Sequence, residues 1–162
     1  MAEVHVKRTS LSETAELMKE QLEKGGSVTF SPKGSSMLPM LRTSGDSVTL
    51  VKPPSRIKLG TAALYTAPAE DGGERFLLHR LVRRKGDLLI FQGDNRVEPD
   101  PPVAAGAVIG VVCAYRTRGR DHSCSEAGHR LYKALMVATR SIRPLTRKLR
   151  GAAYRIWKKL KG

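Results

Sequence analysis

Acidic residues run out in this chain at Glu126, and none follows to the C-terminus at Gly162. From Arg116 onward there are 14 Lys/Arg against 2 Asp/Glu, a net +12 of the chain's +14, which leaves +2 for the first 115 residues. The basicity therefore belongs to the tail and points to an anionic partner there, not to a property of the body. Two cysteines, Cys113 and Cys124, are too few for a disulfide framework. Cys113 lies in the apolar run VIGVVCAY, where a buried free thiol in a reducing compartment is expected. Aromatic residues make up only 5% of the chain, so basic side chains interleaved with stacking rings, as single-strand nucleic-acid platforms need, are nearly absent. There is no N-terminal secretory-type apolar run and no stretch of about 18 apolar residues to span a bilayer. The expectation is a cytoplasmic protein, or one peripheral to a membrane.

A chain of 162 residues is long enough to bury a core as one domain with appendages. Ser10 and Glu13 stand in capping-box spacing, Leu11, Ala15, Met18 and Leu22 follow at helical intervals, and Gly25-Gly26 stops the pattern. This predicts an amphipathic helix over 10–24 within an N-terminal segment 1–26. From 27 to 116 the pattern changes to short apolar or alternating runs: SVTF, DSVTLV, TAALYT, RFLLHRLV, DLLIFQ and AVIGVVCAY. About six strands are predicted, separated by Gly, Pro, Asp and Ser turns. Residues 117–128 read as a mobile linker. Residues 129–162 carry Leu131, Leu135, Ala138, Ile142, Leu145, Leu149, Ala153, Ile156 and Leu160 at steps of three or four, with Pro144 kinking or splitting the helix. The fold class is mainly β (α+β), with a helix at each end.

The chemistry-bearing strings are GSSMLPM at 34–40, FLLHR at 76–80 and FQGDN at 91–95. A serine hydroxyl is a poor nucleophile at neutral pH and needs a constrained turn and a neighbouring base. Ser36 has the turn, and His79 is the candidate base. In this order and spacing the strings resemble the superfamily of type I signal peptidases and self-cleaving phage-repressor and SOS-repressor proteases, over residues 25 to 115. The resemblance implies a twisted β-sheet catalytic domain and serine endopeptidase activity. A histidine where many members place a lysine puts the chain with the Ser-His branch. Imidazole, with an ordinary pKa of about 6.5, supplies a neutral base without the desolvation a lysine requires. The match to the family's Gly-Asp-Asn motif implies Asp94, beside Gly93 and Asn95, as the carboxylate that orients His79. Asp100, at the distance where the Ser-His branch often carries a second aspartate, is a supporting candidate.

Backbone N–H groups on the turn around Ser36 are the simplest oxyanion donors. Gly34 then Ser35 precede the nucleophile, an order closer to the repressor branch, and Ser35 is a candidate contributor. Met37 and Pro39 shape the turn or line its pocket, with Met37 equally placed for the core. Gly60-Thr61 stands where relatives usually show Gly-Asp, and no membrane anchor accompanies the motifs. No cofactor is implied. Asp121, His122, Cys124 and His129 fit no compact zinc pattern, so no metal is expected. The expected partner is an extended peptide, which in this superfamily lies beside the site as an added strand. For the tail, docking of 129–162 on an anionic membrane fits the apolar stripe with Trp157 and Tyr154 best, packing on the domain or a partner comes second, and nucleic acid last. Two other functions compete. One is an inactive descendant that keeps only peptide binding. The other is a self-cleaving regulator, against which stand a single N-terminal helix and the absence of Ala-Gly or Cys-Gly bonds in residues 1–33.

Overall fold

The structure is a computed structural model that describes residues 11–42, 45–69 and 72–142. The expected Ser10 cap and the helix beyond residue 142, with Pro144, lie outside the described residues. Helix α1 (Leu11–Glu23) is followed by strands β1 (Val28–Phe30), β2 (Ser47–Val51), β3 (Ala62–Pro68), β4 (Glu74–Lys85), β5 (Leu88–Gln92), β6 (Val103–Ala104), β7 (Val108–Thr117) and β8 (Arg120–Ser123), then helix α2 (Ala127–Ala138). The strands form one antiparallel sheet in the order β1-β2-β7-β3-β4-β5-β6, with β8 added to β7.

All six predicted strands are present. The two others escaped the pattern: β6 is two residues long, and β8, RDHS, has no apolar alternation. The segment expected as a linker instead continues the sheet. Thr117 pairs with Arg120 across a two-residue turn in which Arg118 and Gly119 both have positive φ, 53° and 74°, the backbone that matches strand twist in tight hairpins.

Helix α1 ends where Gly25, at φ 78°, turns its N–H to the Leu22 carbonyl, and Gly26 bonds to Gln21. Its buried face, Ala15 and Leu22, rests on β7 at Gly110. A Cβ at Gly110 would lie 2.8 Å from Leu22 Cδ1, so the glycine is the seat of the helix.

Strand alternation divides the core. Ala62 and Leu64 of β3 join Leu22, Met37, Met40, Leu41, Leu50, Leu78 and Ile109 on the α1 side. Ala63, Tyr65 and Ala67 join Leu81, Leu89, Phe91, Val103 and Val111 on the other. Both faces of the central strands are thus covered, as their burial shows. Among the described residues no helix is long and apolar enough to cross a membrane.

Candidate active site

Ser36 sits on a turn spanning 34–40, entered through Gly34 at φ 96°. Met37 and Met40 anchor the turn in the α1-side core, and Leu41 N–H bonds to the Met37 carbonyl at 3.0 Å. Met37 is therefore a core residue as well as a turn residue. Ser36 itself is half-buried, and Gly34 and Ser35 are exposed.

A second loop, 93–100, clasps this turn. Asn95 N–H donates to the Ser36 carbonyl at 2.8 Å, and its side-chain amide donates to the Ser35 carbonyl at 3.2 Å. Gln92, buried at the end of β5, braces the loop by donating to the carbonyls of Arg96 and Val97. Gly93 lies at the junction: a Cβ there would stand 2.7 Å from the Ser36 carbonyl oxygen and 3.1 Å from His79 Cδ2. The edge of the imidazole that carries Nε2 thus approaches the serine turn through the space of a glycine. Ser36 Oγ makes no hydrogen bond among the described residues.

His79 is buried on β4, opposite Ala63 of β3, and its Nδ1 lies 2.6 Å from Asp100 Oδ2. The same oxygen accepts the Tyr65 hydroxyl at 2.8 Å. Burial alone would raise the Asp100 carboxyl, but the His79 hydrogen bond and charge and the Tyr65 bond outweigh it and hold it below the ordinary carboxylate range. Burial and the Asp100 charge push the Tyr65 hydroxyl upward, so it stays a donor. A carboxylate on Nδ1 keeps the ring proton there and leaves Nε2 free to accept one.

Asp94 does not orient His79, which corrects the expectation. Its two oxygens accept Arg80 Nε at 2.8 Å and Nη2 at 2.6 Å, and Oδ2 also accepts the Tyr132 hydroxyl at 2.8 Å. The reason is the pleat: His79 and Arg80 are neighbours on a strand and point to opposite faces. Arg80, fully buried, also donates to the Gly60 carbonyl and to Met40 Sδ, and its guanidinium lies 5.2 Å from the centre of the Tyr132 ring. Burial would lower Arg80, yet the Asp94 bonds and charge raise it above its ordinary value.

Tyr65, Gln92 and Tyr132 were missed by sequence reasoning. Tyr65 stood in a strand run, and nothing in the spacing signalled that its hydroxyl would meet Asp100.

The Asp121, His122, Cys124 and His129 set does not converge. Asp121 faces Arg116 at 3.8 Å, His122 faces Glu126 at 3.6 Å and stacks on Tyr115, and His129 is tucked between Tyr115 and Tyr132. No group of three metal-ligating side chains occurs among the described residues. No family model, curated protein or solved structure matches this chain.

Proposed function

We propose that the protein is a serine endopeptidase in which Ser36 is the nucleophile, His79 the general base and Asp100 the carboxylate that orients the imidazole. The observation that carries this reading is the buried 2.6 Å contact from His79 Nδ1 to Asp100, on a ring whose opposite edge borders the Ser36 turn. In the reaction, His79 Nε2 takes the Ser36 hydroxyl proton as Oγ attacks the scissile carbonyl. The turn's backbone N–H groups receive the developing oxyanion. His79 then returns the proton to the leaving amine, and water hydrolyses the acyl-enzyme by the same path. The substrate is an extended leader-like or signal-like peptide, an expectation carried by the resemblance of the three motifs. Catalytic hydrogen bonds of this kind are often formed only once substrate is bound.

The test is labelling with a fluorophosphonate read by intact mass, beside cleavage of a peptide library, for the native chain, Ser36→Ala and His79→Ala. Adduct on Ser36 that is lost with His79 supports the reading, and silence in both assays sinks it. A peptide-binding module without turnover is the second reading, favoured because Ser36 Oγ has no hydrogen-bond partner among the described residues. On that reading Ser36→Ala keeps full peptide affinity and the native chain cleaves nothing. In either case the exposed Leu131 and Leu135 of α2 support docking of the basic tail on anionic membranes, checked by co-sedimentation with phosphatidylglycerol against phosphatidylcholine vesicles.

A further inference from the structure

An open groove of about 800 Å³ begins at Pro39 and Met40, the third and fourth residues after Ser36. The β7-β8 hairpin and α2 build its other walls. Tyr115, His122, His129 and Tyr132 present aromatic faces, and Arg118 and Arg120 supply two guanidinium groups at the hairpin tip. Glu126 is the one acidic lining residue, and it is engaged by the Ser123 N–H at 2.7 Å and by His122 at 3.6 Å. Arg118 and Arg120 face no carboxylate among the described residues.

Arg118 is a second, independent pointer. It is the only non-glycine with positive φ among the described residues, in a two-residue turn where Asn-Gly is the ordinary choice. An arginine in the left-handed region costs backbone energy that Asn avoids, and such local strain clusters where a side chain has work to do. The turn is held in place because buried Asp46 accepts the Thr117 hydroxyl at 2.6 Å and the Arg118 N–H at 3.3 Å. The fold thus holds Arg118 at the groove's rim on a braced turn.

We propose that this groove binds a peptide segment carrying acidic side chains, with Arg118 and Arg120 reading the carboxylates and the aromatic wall taking the apolar residues between them. The groove shares Pro39 and Met40 with the serine turn and lies on the Arg80 face of β4; that it takes part of the substrate of the peptidase proposed above rests on that reading.

The test uses fluorescein-labelled twelve-residue peptides with Glu at alternate positions and their Gln isosteres, titrated into the full chain carrying Ser36→Ala, with anisotropy as readout. The same titration is run with Arg118→Asn and Arg120→Gln added. Asn suits the left-handed turn better than Arg, so the variant keeps the hairpin. The expected result is about five- to tenfold tighter binding of the Glu set, lost in the arginine variant and weakened by 0.5 M salt, a concentration set by about a 4 Å screening length. Equal binding of both sets overturns the proposal, as does absence of binding. A Glu preference that survives in the arginine variant belongs to the basic tail and also overturns it. Cleavage by the native chain is read separately: no turnover of either set counts against the peptidase alone, while arginine-dependent Glu binding keeps the groove.

Discussion

Arg80 and Asp94 are joined by two hydrogen bonds, at 2.8 and 2.6 Å, on the face of β4 opposite His79. The adjacent His79 makes its own pair with Asp100. Two aspartates six positions apart in one loop therefore serve two neighbouring side chains on opposite sides of a strand, one a buried guanidinium and the other the imidazole near the serine turn.

The two aspartates are expected to separate by experiment. Asp94→Asn strips a carboxylate from a buried guanidinium and destabilises the fold by about 3 to 5 kcal/mol, with turnover per folded molecule changed much less. On the proposed peptidase reading, Asp100→Asn drops kcat by about 10³- to 10⁴-fold, because the imidazole loses the partner that holds its tautomer, and it costs less stability than Asp94→Asn. Urea midpoints and peptide kcat on both variants decide it; equal effects on both quantities would refute the division.

Tyr65→Phe removes one donor from Asp100 Oδ2 without changing the ring that stacks on Phe91 at 4.3 Å. The expected loss is about 1 kcal/mol of stability. With one lowering contribution gone, the Asp100 carboxyl rises toward the ordinary range, so the acid limb of kcat moves to higher pH. A pH–rate profile of the variant that coincides with the native one would rule out a positioning role for the hydroxyl.

Gly93→Ala places a methyl group 2.7 Å from the Ser36 carbonyl and 3.1 Å from His79 Cδ2, so the serine turn and the ring must move apart. A displacement of about 1 Å between reacting groups costs about 10²-fold in rate. The variant is expected to remain folded by circular dichroism and to lose peptide cleavage, whereas Gly86→Ala, with nothing within 4 Å but φ 59°, should lose stability and keep activity.

Acid is expected to unfold the protein in two stages. Burial lowers His129 from its ordinary value, and the Arg80 charge adds to it, so its contribution is present above about pH 6.5 and lost as pH falls through the folded value. Asp46 and Asp100 are opposed by burial but lowered overall by their donors, so theirs is present above about pH 4 and lost below it. Urea midpoints at pH 7.5, 5 and 3.5 should fall in that order. Asp46→Asn should lower the midpoint at pH 7.5 and flatten the drop below pH 4; an unchanged drop would place the acid-labile group elsewhere.

The helix α1, the six strands that carry apolar runs and the glycine stops were legible because each rests on local periodicity and turn chemistry. The short β6 and polar β8 were not, since their strand form comes from neighbours that complete their hydrogen bonds, not from their own apolar pattern. The positions of Ser36 on a turn and His79 on a strand were legible from the flanking turn residues and apolar runs. The assignment of Asp94 to His79 failed because linear distance does not say which face of a strand a side chain leaves.

By itself, then, the sequence determined the order of elements, the placement of a serine turn, a strand histidine and an Asp-bearing loop in one domain, and the concentration of positive charge at one end. Only the tertiary structure decided which aspartate meets His79 and which meets Arg80, that Tyr65 closes on Asp100, and that a hairpin and a helix from the C-terminal third wall a groove that begins at Pro39 and Met40. Periodicity and turn residues act over a few positions and can be read along the chain. Side-chain pairing across a sheet depends on register and pleat, which exist only once the strands have met.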